Sequence, residues 1–544
     1  MRNSNLRSES SEIPTTTPKR NSRKPLGFHL SLVALSLMVL IVSLDATALA
    51  VATPVIAHDL RGTTLEAFWA SLSFLLAAVV AQPIYTAISD VFGRKIPLHS
   101  SFLWFVAGSI ILATAQAMPM LIVGRVFQGI GAGGIDVLGE IILVDMTTLK
   151  ERPLYLGLFS IPMAGGSILG PIIGALFSQQ ASWRWLGWMN LPISAFAFVL
   201  VLFFLRLKPI EQKFKEKLRR LDWIGIVLFT IGSTLFASPL SWAGAIYPWS
   251  SWKTILPLAL SVMILVSLAF YERKPPEPIF PYRIFHNQTA LVTLLTSFLV
   301  GAVVYSGILY MPLFFQAVEL KSPLRSAVAT LPMFCTSVAF SVLAGVLVEM
   351  VRRYRWVIIL SWGFTTAAFG LVTLWDCDTS PAMNYGFQIL LGGGFGPLMS
   401  ILTLPMQASV QKVDDSGMAV GILISFRLVG GLAGLAMCST IFNSVFRREI
   451  VSLGQILESV AILRDAREAI RFIPELRNLQ GQPELVSSVI DVYRRSIVAI
   501  FYMLAGVSGL GFLTSFFIQE ITMEKEELGR QHFQHAAETV TIDS

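Results

Sequence analysis

Five ionisable residues lie inside otherwise apolar stretches: Asp45, Arg125, Asp136, Glu140 and Arg427. A charge near the centre of a bilayer costs about 2.5–3.5 kcal/mol on insertion scales, so such residues persist where they are paired, hydrated or used. Arg125 and Asp136 are eleven residues apart, which on a helix leaves them about 20° apart in rotation and ~16 Å apart in height. Gln128 and Ala132 fall on the same stripe, and Glu140 follows Asp136 by one turn, so the two carboxylates share a face. Neighbouring carboxylates in a low dielectric do not both ionise readily, which makes this pair a candidate to take up and release a proton. The plainer reading is structural, with each group hydrogen-bonded between helices and never titrating. Asp45 is expected to pair with a base across the bundle. Arg427, beside Gly430, Gly431 and Gly434, suits either a substrate contact or a helix-packing tether.

The surrounding chain must supply spans for these groups. Of 544 residues, 54% are hydrophobic and only 14% charged, where a soluble protein carries about 25%. Mean hydropathy is +0.67, and the apolar residues come in blocks of the ~20 residues that cross a bilayer as a helix. The sequence thus predicts an all-α polytopic membrane protein. Fourteen spans are expected, at about 28–52, 66–88, 96–116, 119–143, 154–178, 186–206, 221–242, 253–271, 289–315, 323–349, 355–375, 383–408, 416–444 and 496–519. The domain organisation follows: a polar tail at 1–27, a six-helix bundle at 28–206 and two linking helices at 207–288. A second six-helix bundle fills 289–519, with a long loop at 445–495, and a tail occupies 520–544.

An even number of spans puts both ends on one side, and bases set which side. The segments on the side of the tails carry 26 Lys and Arg, seven of them in RLKPIEQKFKEKLRR (206–220), against five in the short loops opposite. Both termini are therefore expected in the cytoplasm. The long loop at 445–495 has eight Arg and seven acids, and its helical periodicity suits an amphipathic helix on the outer surface. The sequon at Asn287 is expected on the cytoplasmic side, without a glycan. Cys335, Cys377 and Cys438 are too few for a disulfide framework and are expected as small core residues.

Other chemistries are excluded. No Gly-x-x-x-x-Gly-Lys-Ser/Thr loop occurs, so ATP is not the direct energy source. Zinc-type Cys/His spacing and a Gly-x-Ser-x-Gly elbow are both missing. GIGAGG (129–134) lies within a span with no strand before it, which rules out a dinucleotide loop. Short basic runs beside spans suit anionic lipid rather than nucleic acid.

Between spans two and three, SDVFGRK (89–95) sets a compact charged hinge in apolar surroundings. Thr86, Asp90, Gly93, Arg94 and Lys95 resemble the loop signature of the major facilitator superfamily, with Thr86 where glycine is usual. LDATALAVATPVIA (44–57), GRVFQGIGAGGI (124–135) and GGSILGPIIGA (165–175) are similar to its span-one, span-four and span-five elements. WRWLGWMNLPI (183–193), LDWIGIVLFTIG (221–232), YMPLFFQAV (310–318) and FRLVGGLAG (426–434) resemble the fourteen-span drug:proton antiporter branch, and RGTTLEAFWASLSFLL (61–76) its fungal members.

The resemblance implies the major facilitator fold, two six-helix bundles plus two extra helices, with a central substrate cavity opened alternately to each side. It implies that Asp90, Gly93, Arg94 and Lys95 latch the two halves while the cytoplasmic side is closed, and that Thr86 loosens the helix contact there. It gives Arg125 a part in a proton relay, and it makes Gly166, Gly170, Pro171 and Gly174 the mark of exporters. Their four-residue spacing also gives a flat face for close packing.

The expected function is proton-driven export of a hydrophobic or amphipathic small molecule, drug, toxin or secondary metabolite. Its partners would be that substrate, protons and the lipid bilayer, with no nucleic acid and a monomeric state. No cofactor is expected, the proton gradient being the energy source. The expected location is the plasma membrane, the vacuolar membrane being the alternative. Rival readings are a proton-coupled importer, of a siderophore or basic amino acid, and a membrane sensor that does not transport.

Overall fold

The computed structural model describes residues 24–62, 64–208, 216, 219–243, 247–275, 278–376, 379–410, 412, 415–453, 463, 469–476 and 483–522. The tails expected at 1–27 and 520–544 lie largely outside the described residues, as do Cys377 and most of the expected amphipathic helix near 454–473. Among the described residues, fourteen helices are long and apolar enough to cross a membrane. In lipid the backbone must satisfy its own hydrogen bonds, which favours helix throughout each apolar block.

In chain order the spans are α1 (Leu26–Asp59), α2 (Thr64–Phe92), α3 (Lys95–Ala113), α4 (Met118–Met146), α5 (Arg152–Gln180) and α6 (Asn190–Phe204). Next come α7 (Trp223–Trp242) and α8 (Trp252–Tyr271). The second half holds α9 (Gln288–Ala317), α10 (Leu331–Val351), α11 (Arg355–Val372), α12 (Pro381–Ile401), α13 (Ser416–Ser452) and α14 (Pro483–Ser515). Side-chain caps start several of them: Asp222 accepts from the Gly225 N–H, Asn287 from Thr289 and Ser380 from Met383.

Several expected boundaries differ. The sixth, tenth and twelfth spans are each broken: at Met189 after a short helix Trp185–Trp188, at Thr330 after Pro323–Ala329, and at Leu402 before Thr403–Ser409. Much of the expected 445–495 loop is helix, because α13 runs on to Ser452 and α14 begins at Pro483. Buried Phe442, Phe446 and Tyr493 pack on one another there, and this apolar seam accompanies the extension of both helices past the expected spans. Cys438 is buried as expected, but Cys335 is exposed.

The two halves repeat one pairing scheme. α1 lies along α5 as α9 lies along α13, α2 and α3 both pack on α4, and α10 and α11 both pack on α12. α7 and α8 pack on each other; α7 also touches α2 and α13. α8 presents Leu256, Leu260, Met263, Val266 and Phe270 outward. The halves meet along two symmetric lines, α5 against α10 and α2 against α13. Contacts along these lines close the face at which the described chain begins (Lys24) and ends (Thr522), called the basic face below. There Arg152 Nη1 donates to Gln407 Oε1 (2.9 Å), and Arg352 Nη1 to the Lys150 carbonyl (2.7 Å).

At the same face, just beyond α8, Glu272 is 4% exposed and accepts the Phe280 N–H at 3.3 Å. Burial pushes its carboxyl up to about 7, with the Phe280 N–H opposing the shift and Asp222 adding to it. The folded state thus holds this proton more tightly than the unfolded chain does. Stability from Glu272 is fully present below the ordinary carboxyl value of 4.5 and is lost as pH rises through about 7. In detergent melts, Glu272→Gln should flatten the fall in Tm across that window and be the more stable protein at pH 8. An unchanged pH slope would refute the assignment.

Candidate functional site

The charged candidates fall into three groups at different depths. The first is the hinge after α2. Gly93 has φ 90°, in the left-handed region where a side chain is strained, and its N–H closes the last turn of α2 on the Ser89 carbonyl. The chain then reverses into α3, which begins at Lys95. Arg94 is buried; its Nε donates to Asp145 Oδ2 (2.8 Å) and its Nη1 to Ser89 Oγ (2.8 Å), with Asp90 Oδ1 at 3.6 Å. Asp145, at the foot of α4, escapes a reading built on the loop alone, since its link to Arg94 is purely tertiary.

Thr86 does not loosen the contact. A Cβ on Gly421 of α13 would collide with the Thr86 side chain, and one on Gly417 with the Arg94 guanidinium. The small residue that permits close approach therefore sits on the opposite helix, and α2 and α13 stay tightly joined.

The second group lies within the first half. Arg125 Nη1 donates to Asp45 Oδ2 (2.6 Å) and to Gln128 Oε1 (2.9 Å), and its Nε to the Ala70 carbonyl (3.3 Å). The guanidinium also stands 4.2 Å from the Phe74 ring centre. Asp45 Oδ1 accepts from Asn190 Nδ2 (2.7 Å) and Gln128 Nε2 (3.2 Å), while Ser109 Oγ accepts from both amides. The expected base for Asp45 is thus Arg125. Asn190 and Ser109 were invisible as partners because they come from α6 and α3, far apart in sequence.

The third group bridges the halves. α4 turns Asp136 and Glu140 toward α2 and α13, where both feel the charge of Arg427. Gln82 Nε2 of α2 donates to Asp136 Oδ2 (2.9 Å), and Arg427 Nη1 stands 4.0 Å from Glu140 Oε1. Tyr305 of α9 lies within electrostatic reach of all three charges. Arg427 is 3% exposed. Its backbone is fixed by packing, since a Cβ on Gly301 of α9 would overlap the Arg427 carbonyl and one on Gly430 the Phe298 carbonyl. The glycines tether α13 to α9, and the Arg427 side chain is left to face α4. Arg125 and the two acids of α4 therefore belong to different sites, although they share a stripe.

Gly166, Gly170 and Gly174 do form a flat face, and α1 is what packs on it. Cβ atoms there would strike the carbonyls of Leu40, Leu44 and Ala48 in turn. Pro171 sits within the same unbroken helix α5.

A family model described as Major Facilitator Superfamily matches residues 35–435. "MFS-type transporter sphD" of Aspergillus fumigatus is 46% identical over 519 residues, covering 95% of this chain and 90% of its own length. "Efflux pump FUS6" of Gibberella fujikuroi is 33% identical over 515 residues, covering 93% and 91%. Among solved structures, the proton:xylose symporter XylE superposes with a TM-score of 0.58 at 12% identity, covering 91% of this chain and 98% of its own. The human organic anion transporter MFSD10 gives 0.55 at 13%, covering 91% and 100%. These two show the fold.

Two stability measurements test the packing described above. Asp45→Ala leaves a buried guanidinium without its acid and should cost about 3–5 kcal/mol. The double variant Asp45→Ala/Arg125→Leu should recover part of that loss, and no recovery would show that the pair is not the coupled unit. Gly421→Thr should overpack the α2–α13 contact by about 1–3 kcal/mol. Adding Thr86→Gly should restore the melting temperature, unless the two helices are not held together at that point.

Proposed function

The chain belongs to the Major Facilitator Superfamily, and on that premise we propose that it exports a hydrophobic or amphipathic small molecule in exchange for protons. It is a multi-pass membrane transporter rather than an enzyme. Export is supported by relatives whose names are efflux pumps, FUS6 and MMF1 of Mycosarcoma maydis. Proton exchange is supported by one observation above all: Asp136 and Glu140 meet Arg427 across the seam that must part when access alternates.

The physical logic is as follows. Ionised, Glu140 is held to α13 by its attraction to Arg427; protonated, it loses that attraction and the seam is free to rearrange. Protons entering from the opposite face would thus reset the carrier, and loss of the proton to the basic face would ready it for substrate. The excess of bases supports a cytoplasmic basic face, and the tight α2–α13 and α5–α10 contacts there support a state closed to the cytoplasm. Arg152–Gln407 would hold that closure across the halves, and the Arg94–Asp145 pair would shape the first-half surface that α13 meets. The Asp45–Arg125 cluster, linked by hydrogen bonds among four helices, would stiffen the first half as it moves. The plasma membrane is the proposed location.

The test uses the purified full chain in liposomes with an imposed pH gradient and a panel of fluorescent hydrophobic drugs. Substrate should move against the proton flow. Glu140→Gln should lower gradient-driven flux at least about tenfold, the equivalent of ~1.4 kcal/mol, and leave a flux driven by the substrate's own gradient. Flux along the proton flow, or indifference to the gradient, would overturn the reading.

A further inference from the structure

The seam cluster holds complementary hydrogen-bonding groups that the protein itself leaves unfilled. Arg427 Nε and Nη2 and Glu140 Oε2 are all buried without a hydrogen-bond partner, and Arg427 Nη1 reaches only Glu140 Oε1 and Met399 Sδ, both at 4.0 Å. A hydrogen bond between nitrogen and oxygen needs about 2.7–3.2 Å, so the guanidinium and carboxylate face each other without bonding. Leaving such groups unmet costs about 1–3 kcal/mol each, and more for charged groups. The contrast with Arg125 decides the matter. That guanidinium, equally buried, is bonded to Asp45, Gln128 and the Ala70 carbonyl, so burial in this bundle does not by itself leave an arginine open.

From this juxtaposition we propose that Arg427 and Glu140 together form the substrate's polar anchor. The ligand class is a lipophilic molecule bearing a hydrogen-bond acceptor next to a donor, as in a carboxamide or a hydroxy-ketone. The acceptor takes the open N–H groups of Arg427, and the donor gives its proton-bearing side to Glu140 Oε2. The inference rests on the exchange reading above and gives it a chemical basis. Ionised Glu140 accepts the substrate's N–H or O–H; protonated Glu140 offers that oxygen only weakly, so proton and substrate compete for one carboxylate.

The groups facing Glu140 agree with a polar but nearly neutral ligand. Asp136 on its own helix is held by Gln82 of α2, Arg427 comes from α13, and Tyr305 comes from α9. One cation set against two carboxylates gives a site of net charge −1 when both acids are ionised, which disfavours an anion. Arg427 in turn opposes a bare cation. A molecule that presents both a donor and an acceptor satisfies both sides.

The test compares three fluorescent probes of one shape with the full chain in nanodiscs, at equilibrium and without a gradient. They are 2-naphthamide, with acceptor and donor; N,N-dimethyl-2-naphthamide, with the acceptor alone; and 2-naphthylmethylammonium, a cationic donor. At pH 8 the primary amide should bind at least about tenfold more tightly than either of the others. That preference should fade at pH 5. Glu140→Gln should abolish its pH dependence, and Arg427→Lys, which keeps the charge but loses the fork, should abolish the preference itself. Melting curves of both variants would establish that they are folded. Equal binding of the three probes, a preference for the cation, no binding of the primary amide, or a preference that survives Arg427→Lys would each overturn the proposal. Because this readout needs no flux, it fails separately from proton exchange: gradient-driven transport with no amide preference removes the anchor alone, and an amide preference without gradient-driven transport removes the exchange alone.

Discussion

The structure is governed by what it costs to hold ionised groups inside a bundle of helices in lipid, and the chain meets that constraint in two opposite ways. At Arg125 the guanidinium is met by a carboxylate, a side-chain amide, a backbone carbonyl and an aromatic face. At Arg427 the cost is offset only in part, by two acids from another helix, the nearer at 4.0 Å. A site whose charges are directly hydrogen-bonded has little to gain from moving. An unsaturated one placed between two rigid bodies has much to gain, from a proton, from a ligand or from a shift of the bodies. This difference separates the scaffold from the working part of the molecule.

Close backbone contact supplies the rigidity. In each half one helix pair is pressed together over glycines, α1 on α5 and α9 on α13, so that each bundle can move as a unit. Between the halves the contact is different. At the basic face it relies on glycines opposite bulky groups, Gly421 against Thr86 and Gly417 against Arg94, and on a few hydrogen bonds between side chains and backbone. Such an interface is tight while it lasts but buries few charges that would hold it permanently. The Arg94–Asp145 pair lies on the first-half side of it, where it shapes the surface that α13 meets rather than bonding across it.

The family resemblance assigned roles to residues singly, and the tertiary arrangement regroups them. Asp45 and Arg125 work as one unit, which places Arg125 inside a single bundle rather than at the seam. Thr86, an exception when the loop is considered alone, is matched by a glycine more than three hundred residues later. The tract beyond residue 445 changes character for a similar reason. Its polar residues suggest a loop, but Phe446 and Tyr493, packed with Phe442 at the end of the apolar block, pair α13 with α14, and contact between two helices overrides the local composition.

By itself the sequence determined the quantities that depend on chain composition and local spacing. The number of spans follows from the length of the apolar blocks, because lipid allows them little but helix. The bias of bases fixes which face is basic, the placement of Gly93 gives the hinge, and the four-residue glycine repeat gives a flat face on α5. Which intramembrane charges are neutralised and which stand open was decided by the tertiary structure alone. Asp45, Arg125 and Asn190 come from three helices, and Glu140 and Arg427 from opposite halves. A hydrogen bond or its absence is a matter of tenths of an ångström between side chains, and no spacing along the chain encodes that distance across helices.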